Sequence, residues 1–239
     1  MIDFGTLHLG TEAFVAAAPA LWSDCTVNRI LMVVTAILFL ITLSDYISLW
    51  PMLADCLVRS RGNVSMEHSL GDARNRNTAF YISLLCFCLI ADRYHLLGSG
   101  IPDSFRPELR VAVTAGLLIA YLLLRSMLWA LILIVEPPGR ADAEMRAVMH
   151  KGPRNYFVVA VALLLAVTAL FSAMGVDGTA ARAVMWVIIG VLFLLMLVRI
   201  GQIFRAHCSY VATILYLCTL EILPLGALTV AALFIQETV

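Results

Sequence analysis

Two stretches of this chain, residues 157–174 and 183–198, run without a single charged side chain. A helix rises 1.5 Å per residue, so about 20 mostly apolar residues cross the hydrocarbon of a bilayer. Two such runs, almost end to end, leave little room for a fold in water. The rest of the chain agrees: 62% of its 239 residues are apolar and 13% are charged, with mean hydropathy +0.95. A soluble domain carries roughly 25% charged residues, and a single core of this size cannot hide the surplus apolar surface. The soluble-enzyme and disordered classes are therefore excluded. Sixteen basic and sixteen acidic residues cancel, so no positive footprint for a nucleic acid exists. The remaining fold class is all-α, a polytopic transmembrane helical bundle.

Six runs qualify as spans, near 30–50, 78–98, 110–135, 155–176, 183–204 and 209–235, with no segment between them long enough for a soluble domain. Barrel strands of about 9–11 alternating residues do not describe runs this long and apolar all round. Residues 1–28 lack a basic leader, and their apolar stretch Ala13–Trp22 is short and contains Pro19, so they read as an interfacial segment. Pro137-Pro138 ends the third span, Gly152-Pro153 precedes the fourth, and Asp177-Gly178 turns the chain between the fourth and fifth. Met52–Val58 and Ala143–Met149 read as short amphipathic helices on the membrane surface.

Short loops rich in Lys and Arg stay in the cytoplasm. On one side fall Arg59, Arg61, Arg74, Arg76, Arg140, Arg146, Lys151, Arg154 and Arg205, nine in all, against Arg29, Arg106, Arg110 and Arg182 on the other. This bias places both termini in the periplasm of a bacterial inner membrane.

The cysteines are scattered, and Cys86-x-Cys88 lacks the spacing of a zinc site. No two histidines stand four apart, and His95 and His207 fall at opposite membrane faces, which rules out a haem between them. No HExxH, GxSxG or GxxxxGK[ST] motif occurs, so no catalytic residues, metal or cofactor are expected. The informative residues are ionisable groups inside apolar runs. Each costs about 2.5–3.5 kcal/mol at a helix centre and so should face protein or water. Arg125 in the third span and Glu221 in the sixth lie at similar depth, and pairing them neutralises both. Asp45, Arg199 and Gln202 extend this set into one polar cluster in the inner half. Such a cluster serves as a helix staple, as an ion or proton path, or as a docking surface for a membrane partner. Asp92, Arg93 and His95 mark a second cluster on the outer side, where snorkelling to the interface explains them equally well.

The C-terminal third carries a denser pattern, Arg199-Ile200-Gly201-Gln202-Ile203-Phe204-Arg205 followed by Leu215–Pro224, LYLCTLEILP. This string resembles the C-terminal hallmark of an uncharacterised family, a domain of unknown function, of small polytopic bacterial membrane proteins typical of the Bacteroides-related phylum. The resemblance is specific over about 199–224 and extends loosely over the whole chain through size and span count. It implies an inner-membrane helical protein and brings no established activity. The positions it marks are Arg199, Arg205, Tyr216, Cys218, Thr219, Glu221 and Pro224. Pro224, three residues after Glu221, removes a backbone donor and should kink the helix at the carbonyl of Leu220.

Residues and resemblance together lead to a non-enzymatic membrane subunit or scaffold of an envelope complex. The alternative is a small transporter with Glu221 as its protonatable carboxylate; an intramembrane enzyme or quinone-binding subunit ranks third. The expected partners are the lipid bilayer and either another membrane protein or a second copy of the chain, and no nucleic acid.

Overall fold

The computed structural model describes residues 26–58, 70–96, 107–135, 142–175, 178–205, 214, 216–227 and 229–230. Seven helices occur among them and no strand: α1 (Thr26–Ile41), α2 (Leu43–Val58), α3 (Leu70–Arg93), α4 (Pro107–Val135), α5 (Asp142–Met174), α6 (Gly178–Arg205) and the short α7 (Cys218–Ala227). Three are long and apolar enough to cross a membrane, with apolar windows at Arg110–Leu131, His150–Met174 and Gly178–Ile203. The bent pair α1–α2 makes a fourth if it is one span. The protein is thus an all-helical, multi-pass bundle. The interfacial reading of residues 1–28 and much of the sixth span fall outside the described residues.

The first span, expected as one helix over 30–50, is broken. α1 and α2 meet at 67° around Thr42. The Thr42 hydroxyl donates to the carbonyls of Leu38 (2.9 Å) and Phe39 (3.3 Å). A hydroxyl bonded back into the preceding turn opens and bends a helix. Residues Met52–Val58 are not a separate surface helix either. They continue α2 past Pro51, and Leu53 and Cys56 are buried in the main core. Ala143–Met149 likewise belongs to α5, which runs straight through Pro153 rather than starting after it.

The largest departure is α3. It begins at Leu70 rather than near 78 and is the most polar of the long helices, yet it sits at the centre, packed on α1, α2, α4 and α5. Its buried side includes Arg76, Ala79, Phe80, Ser83, Cys86, Ile90 and Asp92. The apolar helices surround it and point Ile119, Leu123, Met127, Val187, Val191 and Leu194 outward. α1 follows the same inversion: its buried residues are Asn28 and Thr35, while Ile30, Val33, Val34, Ile37 and Leu40 are exposed. Polar groups facing protein and apolar groups facing out is the arrangement lipid demands. Between helices, lipid supplies no hydrophobic drive, so packing and interhelical hydrogen bonds hold the bundle. Tyr46 shows both. Its ring packs on Phe39, and its hydroxyl donates to the Ala79 carbonyl at 2.7 Å and shares a 2.7 Å bond with Ser83.

The helices alternate in direction. The end of α2 and the first half of α5 are joined by Tyr156, whose hydroxyl donates to the Cys56 carbonyl at 3.1 Å. The end of α6 reaches the end of α2 through Arg199. At the opposite end, the start of α4 meets the end of α3 through Arg110 and Asp92.

Candidate functional site

In the apolar middle of α4, Tyr121, Arg125 and Trp129 recur at four-residue spacing and share one stripe. That stripe meets α7 and the start of α5. Arg125 Nη2 donates to Glu221 Oε1 at 2.8 Å, with the two side chains 12% and 4% exposed. Arg125 Nη1 also reaches the His150 carbonyl, more loosely, at 3.4 Å. Trp129, one turn along α4 from Arg125, has its ring 5.5 Å from His150 and 6.0 Å, edge-on, from Tyr216. The second carboxylate oxygen, Glu221 Oε2, is buried and accepts no hydrogen bond among the described residues.

The backbone under Glu221 is irregular for a stated reason. Pro224 has no N–H, so the Leu220 carbonyl loses its usual helical donor. Leu223 N–H instead reaches the Cys218 carbonyl, five residues back, and Cys218–Ile222 winds as a π turn. Such turns widen a helix and recur at functional positions. Of the motif residues, Leu220, Glu221 and Pro224 are buried, Cys218 is exposed with a free thiol, and the Thr219 hydroxyl donates to the Tyr216 carbonyl at 3.2 Å. Tyr216 packs beside a core of Tyr156, Met196 and Ile200.

The inner-half residues do not form one cluster. Arg199 Nη1 donates to Gln202 at 3.0 Å and Nε donates to the Leu57 carbonyl at 3.2 Å, so this pair closes the C-terminal end of α2. The last carbonyls of a helix have no internal donor and attract a cation. Asp45 lies in the first turn of α2, partly exposed, and forms no ion pair among the described residues. Arg205 is exposed at the end of α6. Helix spacing placed these residues at similar depth; their different neighbours keep them apart.

Of the outer set, Asp92 and His95 meet around Arg110, a residue the sequence reading left aside, while Arg93 lies over the Tyr94 ring. Asp92 is buried at the end of α3, and Arg110 Nε of α4 stands 3.8 Å from its Oδ1. Arg110 also donates to His95 Nδ1. α3 ends with His95 N–H on the Asp92 carbonyl (3.3 Å) and Leu96 N–H on the Ala91 carbonyl (2.9 Å). This is a Schellman turn, whose left-handed position usually holds glycine. Here His95 occupies it at φ 50°.

Other groups escaped the sequence reading. Arg76 is 1% exposed although it looked like a loop cation. It was misplaced because α3 starts upstream of the apolar run. Arg154 donates to Asn77 at 3.3 Å and stacks 5.3 Å over Phe80. Asn155, also buried, points Nδ2 at Cys56 Sγ, 3.9 Å away. The available signal was the spacing of Arg76, Phe80, Ser83 and Phe87 along one helix face. No group of three or more His, Cys, Asp or Glu side chains suited to a metal ion occurs among the described residues. Comparison with protein-family models, curated proteins and solved structures finds no match to this chain.

Proposed function

We propose that the chain is a non-enzymatic integral membrane subunit or scaffold of a bacterial envelope complex. It crosses the inner membrane six times with both termini periplasmic, α1–α2 being the first crossing and α3 an interior one. The Leu215–Pro224 motif supports placing it with the family of unknown function that it resembles. The observation that carries the reading is the Arg125–Glu221 pair, which ties α7 to α4 at 2.8 Å in a buried setting. A buried ion pair across two helices serves cohesion, since breaking either side strands a charge. The outward apolar faces of α1, α4 and α6 suit a bilayer and a membrane-embedded partner alike. The test is Glu221→Gln, examined by native mass spectrometry after gentle purification from native membranes. The scaffold reading expects lower stability or loss of a stoichiometric partner. An unchanged, fully assembled protein rejects it.

A second reading has its own support: the unbonded Glu221 Oε2 inside a π turn. On this reading Glu221 is the protonatable carboxylate of a small transporter. Glu221→Gln would then fold normally and abolish pH-dependent flux in proteoliposomes.

A further inference from the structure

At the end of the bundle away from Glu221, a cleft of about 430 Å³ opens between α3 and α6, lined by Arg93, Tyr94, His95, Gly178, Thr179 and Arg182. Two arginines from separate helices converge on it, both exposed. Arg93 is held 5.5 Å over the Tyr94 ring, which positions its guanidinium at the rim. Asp92, the buried carboxylate of this end, is engaged by Arg110. No ion pair to Arg93 or Arg182 occurs among the described residues. The floor adds donors of the same sense. Gly178 and Thr179 open α6, a helix of 28 residues, and the first N–H groups of a helix have no internal acceptor. The lining therefore offers guanidinium forks and backbone N–H groups, with no carboxylate among the lining residues. Guanidinium forks match phosphate oxygens in pairs.

We propose that this cleft binds a phosphate group. The headgroup of an anionic phospholipid in the adjoining leaflet and a free phosphate share that chemistry. The site is independent of the role given to Glu221.

The experiment uses the full chain, delipidated in a neutral detergent. It is titrated with short-chain phosphatidylglycerol, with short-chain diacylglycerol as the phosphate-free control, and with inorganic phosphate. Bound species are counted by native mass spectrometry and protection is read from thermal melts. The expected result is one phosphatidylglycerol bound and none of the diacylglycerol. The double variant R93Q/R182Q, both positions being exposed, should weaken binding about tenfold or more, as losing charge-assisted hydrogen bonds does. Inorganic phosphate that protects equally and displaces the lipid would identify a free phosphate as the ligand; protection by the lipid alone would identify the headgroup. Either result supports the phosphate site. Binding of neither phosphate source, equal binding of diacylglycerol, or unchanged binding by R93Q/R182Q overturns it. The diacylglycerol comparison is made on the wild-type chain and decides the matter even if the double variant fails to fold.

Discussion

Arg125–Glu221 and Arg110–Asp92 are alike in burial and unlike in geometry. Glu221 and Asp92 have side chains 4% and 2% exposed, yet the first pair closes to 2.8 Å and the second stands at 3.8 Å. Arg125 is surrounded by apolar helix and aromatic rings, so its guanidinium has few choices. Arg110 sits at a helix end and divides itself between Asp92 and His95. Burial sets the penalty for an unpaired charge, while the neighbours set how tightly the charge is paired. The tight pair joins two helices. The loose one positions a helix end beside a cleft.

The sharpest way to break this comparison is Arg125→Leu. It strands Glu221 and is expected to cost about 3–5 kcal/mol in detergent unfolding, with most of the loss recovered in the double variant R125L/E221L. Failure of the second change to rescue would mean that the pair does more than neutralise itself. Asp92→Asn should cost less, about 1 kcal/mol in the same assay, because the contact it weakens is long and shared. A loss as large as that of Arg125→Leu would erase the distinction. Two helix ends sharpen it further, since α3 and α5 both finish in the left-handed region, at His95 (φ 50°) and Gly175 (φ 65°). Gly175→Ala should cost about 1 kcal/mol by forcing a side chain into that conformation. His95→Gly should shift stability by less than about 0.5 kcal/mol, strain relief offsetting the lost bond to Arg110.

The apolar helices were legible because lipid asks one simple thing of a sequence, a long run without charge. α5 and α6 read directly from residues 157–174 and 183–198, and similar depth named Arg125 and Glu221 as partners. The failures have a common physical origin: depth along a helix says nothing of azimuth around the bundle. Arg199 bonds the Leu57 carbonyl and Gln202, and Asp45 sits in the first turn of α2, so none of the three joins the Glu221 pair. The bend at Thr42 was hidden because a threonine inside an apolar run looks harmless until its hydroxyl turns back on the helix. α3 was the hardest to read. Its buried face holds Arg76, Ser83 and Asp92, so the hydropathy pattern that reveals an outward-facing apolar helix is weakest for the helix packed against four others.

That central position has a consequence for biogenesis. Arg76 and Asp92 would each cost α3 about 2.5–3.5 kcal/mol if the helix entered hydrocarbon alone at depth. α1 and α2 shelter part of it, and α4 and α5, which the ribosome makes afterwards, complete the enclosure. On the proposed six-span topology α3 is fully enclosed only once they emerge, so a chain truncated before α4 should hold α3 less firmly in the bilayer.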